Sequence, residues 1–138
     1  MSDLVRMSFS IEAPLLKRLE KMVKTHRYTN RSEFVRDMIR ERLVTQEWHH
    51  NEQAVGTVTL VYDHHTRLLN EKLTSLQHRH HHVILATTHV HLDEHVCVEM
   101  ILAKGKAGEI QEIADLLRQQ KGVLHATLSM TSTGKRLA

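Results

Sequence analysis

Residues 5–11, VRMSFSI, put Val5, Met7, Phe9 and Ile11 on one side of an extended chain and Arg6, Ser8 and Ser10 on the other. This segment constrains the fold most, because nothing near it in the sequence can pair with it. Period two marks a strand with one buried face. The next stretch is helical. Pro14 sits where a first turn tolerates proline, and Leu15, Leu16, Leu19, Met22 and Val23 fall on a helical stripe. THRYTN interrupts that stripe. Asn30, with Glu33 three residues later in capping-box position, opens a second helix carrying Phe34, Val35, Met38, Ile39 and Leu43 on one side. A lone strand leaves its backbone donors and acceptors unpaired. A second copy of the chain is the simplest remedy: two strands pair antiparallel and four helices bury a shared core.

Such a ribbon fits the major groove of DNA, where its polar face, with Arg6, Ser8 and Ser10 from both chains, reaches base edges. The amides that open the second helix, at Asn30 and Arg31, suit a backbone phosphate. Charge agrees with this placement. Residues 1–50 hold 10 Lys+Arg against 7 Asp+Glu, and residues 51–138 hold 9 against 9, so the positive excess lies in the first third. Residues 5–43, ending in NRSEFVRDMIRERL, resemble the ribbon-helix-helix repressors, which implies double-stranded DNA as partner.

Periodicity is lost over VTQEWHHNEQA, residues 44–54, which predicts a helix end and a short linker. The domains expected are 1–46, a linker 47–54, and 55–138. In the second domain, residues 55–63 predict a strand and 66–79 a helix on Leu68, Leu69, Leu73 and Leu76. Residues 83–92 and 96–103 predict two strands joined by Asp93, Glu94 and His95. A helix over 108–120 and a strand over 123–130 complete β-α-β-β-α-β, the ferredoxin-like order shared by regulatory domains of the ACT type. The fold class is thus α+β, βαα followed by βαββαβ.

Of 13 histidines, 10 lie at or beyond His64, and the chain has a single cysteine, Cys97. One cysteine excludes an intrachain disulfide framework and leaves a thiolate available as a ligand. His89 and His91 stand two apart on a strand, so their imidazoles share a face. A hairpin that pairs Leu92 with Val96 puts Cys97 opposite His91 and Glu99 opposite His89. Three soft or borderline donors then converge from adjacent strands. A fourth has to come from elsewhere, and each histidine in QHRHHH, residues 77–82, is a candidate.

HVHLDEHVCVE, residues 89–99, a glutamine-histidine pair at a preceding helix end and an N-terminal ribbon-helix-helix are together similar to the nickel-responsive regulators of the NikR type, over roughly residues 5–131. The resemblance implies one Ni(II) per subunit in a planar four-ligand site. His89, His91 and Cys97 come from one chain, and His78 from a neighbouring subunit. It implies a homotetramer, a dimer of dimers, that grips a palindromic operator and represses nickel-uptake genes. Glu33 and Asp37 match positions that hold a secondary cation, and Tyr62 and Glu99 match positions that orient the ligands. One departure is visible: DHHTRLL has Thr66 where some members carry the lysine of a Lys-Arg pair that touches DNA, leaving Arg67 alone.

Other classes fit less well. A zinc or copper sensor on the same scaffold needs the same donors, and an amino-acid-binding ACT-type regulator does not need the histidine-cysteine cluster. Four protein ligands close a metal site to substrate, and the sequence carries no nucleophile-base pattern, so no enzyme is expected. Without a long apolar run and with Asp3 and Arg6 interrupting the N-terminus, the chain is expected to be cytoplasmic, with no membrane partner.

Overall fold

The structure, a computed structural model, describes residues 3–138 and divides into two compact units, residues 3–43 with 136–138 and residues 44–135. The first unit holds α1 (Ala13–Thr25) and the start of α2 (Arg31–His49). Pro14 stands in the first turn of α1, as expected. Asn30 caps α2: its Oδ1 accepts the Glu33 amide at 2.9 Å. The reciprocal half of the capping box does not form, because the Glu33 carboxylate pairs with Arg36 instead. Between the helices Arg27 takes a left-handed φ of 60°. Tyr28 meets Phe34 edge-on at 5.1 Å and donates its hydroxyl to Asp37 at 2.7 Å.

Residues 5–11 form no β-ladder among the described residues, so the expected strand is absent from the single chain. Ladder hydrogen bonds need a second strand, and this chain offers none there. The apolar side of the segment stays open, with Val5 86%, Met7 75% and Phe9 60% exposed. In this unit only Leu19 and Phe34 are buried among the described apolar side chains.

Helix α2 does not end near residue 44 as the lost periodicity suggested; it continues to His49. The second unit then runs β1 (Gln53–Asp63), α3 (Leu69–Arg79), β2 (Ile84–His91), β3 (Val96–Lys106), α4 (Ala107–Arg118) and β4 (Val123–Ser132). Its sheet is antiparallel throughout, in the order β2-β3-β1-β4. This is the expected ferredoxin-like fold. Two boundaries differ in substance. Helix α3 starts only at Leu69, after a turn in which Leu68 is left-handed (φ 65°), and β3, expected to end at residue 103, runs on to Lys106 and straight into α4.

One face of the sheet is covered by α3 and α4. Val58, Leu60 and Tyr62 of β1 and Cys97, Ile101 and Ala103 of β3 bury there against Leu69, Leu73, Ile110, Ile113 and Leu117. Gly56 permits a close approach on three sides: a Cβ there would lie 3.1 Å from Ile110, Leu128 and Trp48 at once. Trp48 is held in place by its indole N–H, which donates to the Thr131 carbonyl at 2.8 Å. The opposite face carries Val90, Met100 and Leu102, 46%, 42% and 37% exposed. No helix among the described residues is long and apolar enough to cross a membrane.

Candidate metal centre

The site is built by the β2–β3 hairpin. Asp93 shapes its turn, accepting the amides of His95 (2.7 Å) and Val96 (2.8 Å) through Oδ1. These two donors hold its carboxyl below the usual carboxylate range. Leu92 donates its amide to the Val96 carbonyl at 2.8 Å. The resulting register pairs His91 with Cys97 and His89 with Glu99, as the spacing predicts. Strand β1 continues both rows, with Tyr62 beside Cys97 and Leu60 beside Glu99. Side chains directly opposite in an antiparallel pair share a face, so Tyr62, Cys97 and His91 form one row, and Glu99 and His89 belong to the next.

Cys97 is fully buried, and its Sγ lies 3.1 Å from His91 Nδ1. The His89 and His91 rings are 5.0 Å apart, centre to centre. His89 also meets the Tyr62 ring edge-on at 6.0 Å. Both histidines sit at the exposed end of the row, while Cys97 and Glu99 occupy its buried end. A sulfur, two imidazoles and an opening to solvent fit a borderline divalent cation.

Hydrogen bonds stiffen the row. Glu99 is only 7% exposed. It accepts the Gln77 amide at 2.8 Å and the Tyr62 hydroxyl at 3.5 Å, and Gln77 in turn accepts from Thr87 Oγ1 at 3.0 Å. Burial, then the charge of Glu99, pushes the Tyr62 phenol up to about 12. Burial raises the Cys97 thiol too, with Asp93, Asp63 and Glu99 adding to it. In the apoprotein the sulfur therefore keeps its proton at neutral pH.

The remaining residues singled out by the sequence lie apart from this row. His78 is exposed in the last turn of α3, lining a shallow hollow with Asn70, Glu71, Thr74, Ser75 and Arg79. The structure does not bring it to His89, His91 and Cys97 within its own chain. Arg6, Ser8 and Ser10 are exposed, and Arg31 pairs with Glu20 at 3.6 Å. Asp37 binds Tyr28 and Arg40, which holds it below the usual carboxylate range. Glu33 and Asp37 are thus both engaged inside the first unit, and a cation there competes with Arg36 and Arg40. Among the later histidines, His82 bonds Glu109 at 2.6 Å. Thr66 packs against Gly122, while Arg67 is exposed.

Two participants escaped the sequence reading. Gln77 lies four residues after Leu73, on the buried stripe of α3, and a polar residue on such a stripe signals a partner across the core. His64 stands in the turn that follows β1, beyond the strand pattern that ends at Asp63, and no signal in the sequence places it near Cys97. Ligand atoms of His64, His91 and Cys97 all fall within 4.8 Å of one another.

Comparison with known proteins agrees with both modules. Residues 5–46 match the ribbon-helix-helix protein, copG family, and residues 55–131 match the NikR C-terminal nickel-binding domain. Proteins named nickel-responsive regulators in Solibacter usitatus and Geobacter metallireducens are each 49% identical over 99% of both chains. One from Caldanaerobacter subterraneus is 44% identical over 99% of this chain and 90% of its own. A solved structure of an uncharacterized protein from Thermotoga maritima covers 57% of this chain and 98% of that one, with a TM-score of 0.52 at 18% identity. That likeness concerns the fold alone. A DNA-reading module and a metal-domain module, matched in order and shared end to end with relatives nearly half identical, make this chain a member of the nickel-responsive regulator family of transcription factors.

Proposed function

We propose that this regulator reads nickel through His89, His91 and Cys97 of one chain and His78 of another, one Ni(II) per subunit in a planar four-donor set. The observation that carries this reading is the contact of Cys97 Sγ with His91 Nδ1 at 3.1 Å on paired strands, with His89 in the adjoining row on the same face. When bound, the ion supplies a sphere that joins two chains, and imidazole-thiolate donors in a plane suit Ni(II). The chain's own residues do the rest. Gln77 turns toward Glu99 and holds the end of α3 against the sheet. The next residue, His78, projects about 100° further around the helix, which suits a ligand offered to a neighbour.

At the other end, Val5, Met7, Phe9 and Ile39 line an open groove with Leu16 and Leu19. A second copy closes it, pairing the two segments over residues 5–11 and presenting Arg6, Ser8 and Ser10 to a major groove in the cytoplasm. Asn30 and Arg31 then face the phosphates. Reader pairs at the ends of a tetramer, a dimer of dimers, span the halves of a palindromic operator. Nickel favours the arrangement in which both halves are engaged, by about 1–3 kcal/mol as such couplings run, and represses nickel-uptake genes. A gel-shift series on DNA upstream of a nickel-transport operon tests this. Retardation should need nickel and vanish after metal stripping; equal binding by the stripped protein overturns it.

A further inference from the structure

The turn between α1 and α2 carries strain that no contact in the single chain offsets. It closes α1 in a Schellman pattern. The Tyr28 amide donates to the Val23 carbonyl at 3.0 Å, and the Arg27 amide to the Lys24 carbonyl at 3.1 Å. Glycine is the usual residue at the left-handed position of such a turn, because a Cβ is disfavoured there. Here that position is Arg27, at φ 60°. Its side chain is exposed and makes no hydrogen bond or ion pair among the described residues.

Charge at this turn is unbalanced as well. From residue 20 to residue 37 the acids are Glu20, Glu33 and Asp37. Arg31 takes Glu20 at 3.6 Å, Arg36 takes Glu33, and Arg40 and Tyr28 take Asp37. Lys21, Lys24 and Arg27 are left over, spaced three apart and all exposed. Strained residues persist where they serve a ligand, and surplus cations on a DNA-reading module meet phosphate. We infer that Arg27, with Lys21 and Lys24 behind it, is a sequence-independent grip on the phosphate backbone of duplex DNA.

The inference rests on the proposed docking of the residue 5–11 ribbon in a major groove, which brings the start of α2 to the phosphates. Arg27 precedes the Asn30 cap by three residues, so their Cα atoms lie no more than about 11 Å apart. A DNA strand offers a phosphate about every 3.4 Å along the helix axis. A guanidinium at the turn therefore meets phosphates beyond those that α2 holds. Arginine suits them, since its planar fork donates two parallel hydrogen bonds. Glycine would ease the turn and give that contact up. The contact carries no base information; it adds affinity and fixes how the ribbon sits on the duplex.

Arg27→Gly separates this role from a structural one, because it eases the turn while removing the grip. With the nickel-loaded full chain, fluorescence anisotropy follows binding to the upstream duplex and to a random duplex of equal length, across roughly 50–200 mM salt. Arg27→Gly should hold or raise the denaturation midpoint, yet weaken both duplexes by the same factor, at least about tenfold. The slope of log affinity against log salt should become shallower by about one for each copy in contact. Arg27→Asn, neutral but tolerant of left-handed backbone, should lose as much, and Arg27→Lys should keep the slope. Wild-type affinity and slope in Arg27→Gly overturn the inference. So does a loss confined to the upstream duplex, which would mark base reading, or a fallen midpoint that Arg27→Lys does not restore, which would mark a structural role. A wild-type chain that retards neither duplex would sink the DNA docking itself, and the inference with it.

Discussion

At the scale of single residues, the proton on Cys97 governs how the site responds to pH. Burial raises the thiol above its ordinary range, and only the thiolate ligates. A cation at this sulfur must displace one proton at neutral pH, so nickel affinity should climb about tenfold per pH unit through the neutral range. It should level off only once pH passes the raised thiol value. Calorimetry in buffers of different ionisation enthalpy reads the proton directly, and binding with no proton release would remove sulfur from the site. Gln77 is the second residue to test. Its amide holds Glu99 at 2.8 Å while its oxygen takes the Thr87 hydroxyl. Gln77→Ala should weaken nickel about 10- to 100-fold, as loss of such supporting bonds does, with little change in the melting temperature. A full-strength nickel band at low metal would show that Glu99 needs no such anchor.

Among the elements, the hairpin was the most legible. Asp93, Glu94 and His95 allow a short connection, and once the register is fixed, alternation alone delivers His91 to Cys97 and His89 to Glu99. The order of strands and helices was legible for the same reason, since each apolar stripe has one period. What sequence could not give were contacts that cross elements. His64 reaches the sulfur because the turn after β1 packs beside the hairpin, and a strand pattern that ends at Asp63 says nothing about such a turn. The length of α2 was misjudged because Glu47 is buried and Trp48 packs, partly buried, against the core of the second unit, outside the stripe that Phe34 and Leu43 begin. Strand β1 offers its own test. Gly56 faces Ile110, Leu128 and Trp48 at 3.1 Å, so Gly56→Val should overpack the core and cost about 1–3 kcal/mol. Chemical denaturation checks this, and an unchanged midpoint would mean that Trp48 yields freely.

On the scale of the whole molecule, the single chain is an unfinished object. Its N-terminal segment exposes Val5, Met7 and Phe9, and its sheet exposes Val90, Met100 and Leu102 on the uncovered face. Phe9→Glu should disrupt pairing of the N-terminal modules and abolish specific DNA retardation, while the nickel band of the metal domain persists. Light scattering and gel shift measure the two, and retained tight DNA binding would place Phe9 outside the shared core. The same bare surfaces tie sensing to gene dosage. On the proposed assembly, a fold completed by copies of the same chain is stabilised by its own concentration, so a cell that makes too few copies would not obtain a fainter regulator. It would obtain solitary polypeptides with adhesive flanks, prey for proteolysis, and its transcriptional response to metal would acquire a threshold set by synthesis rate as well as by nickel.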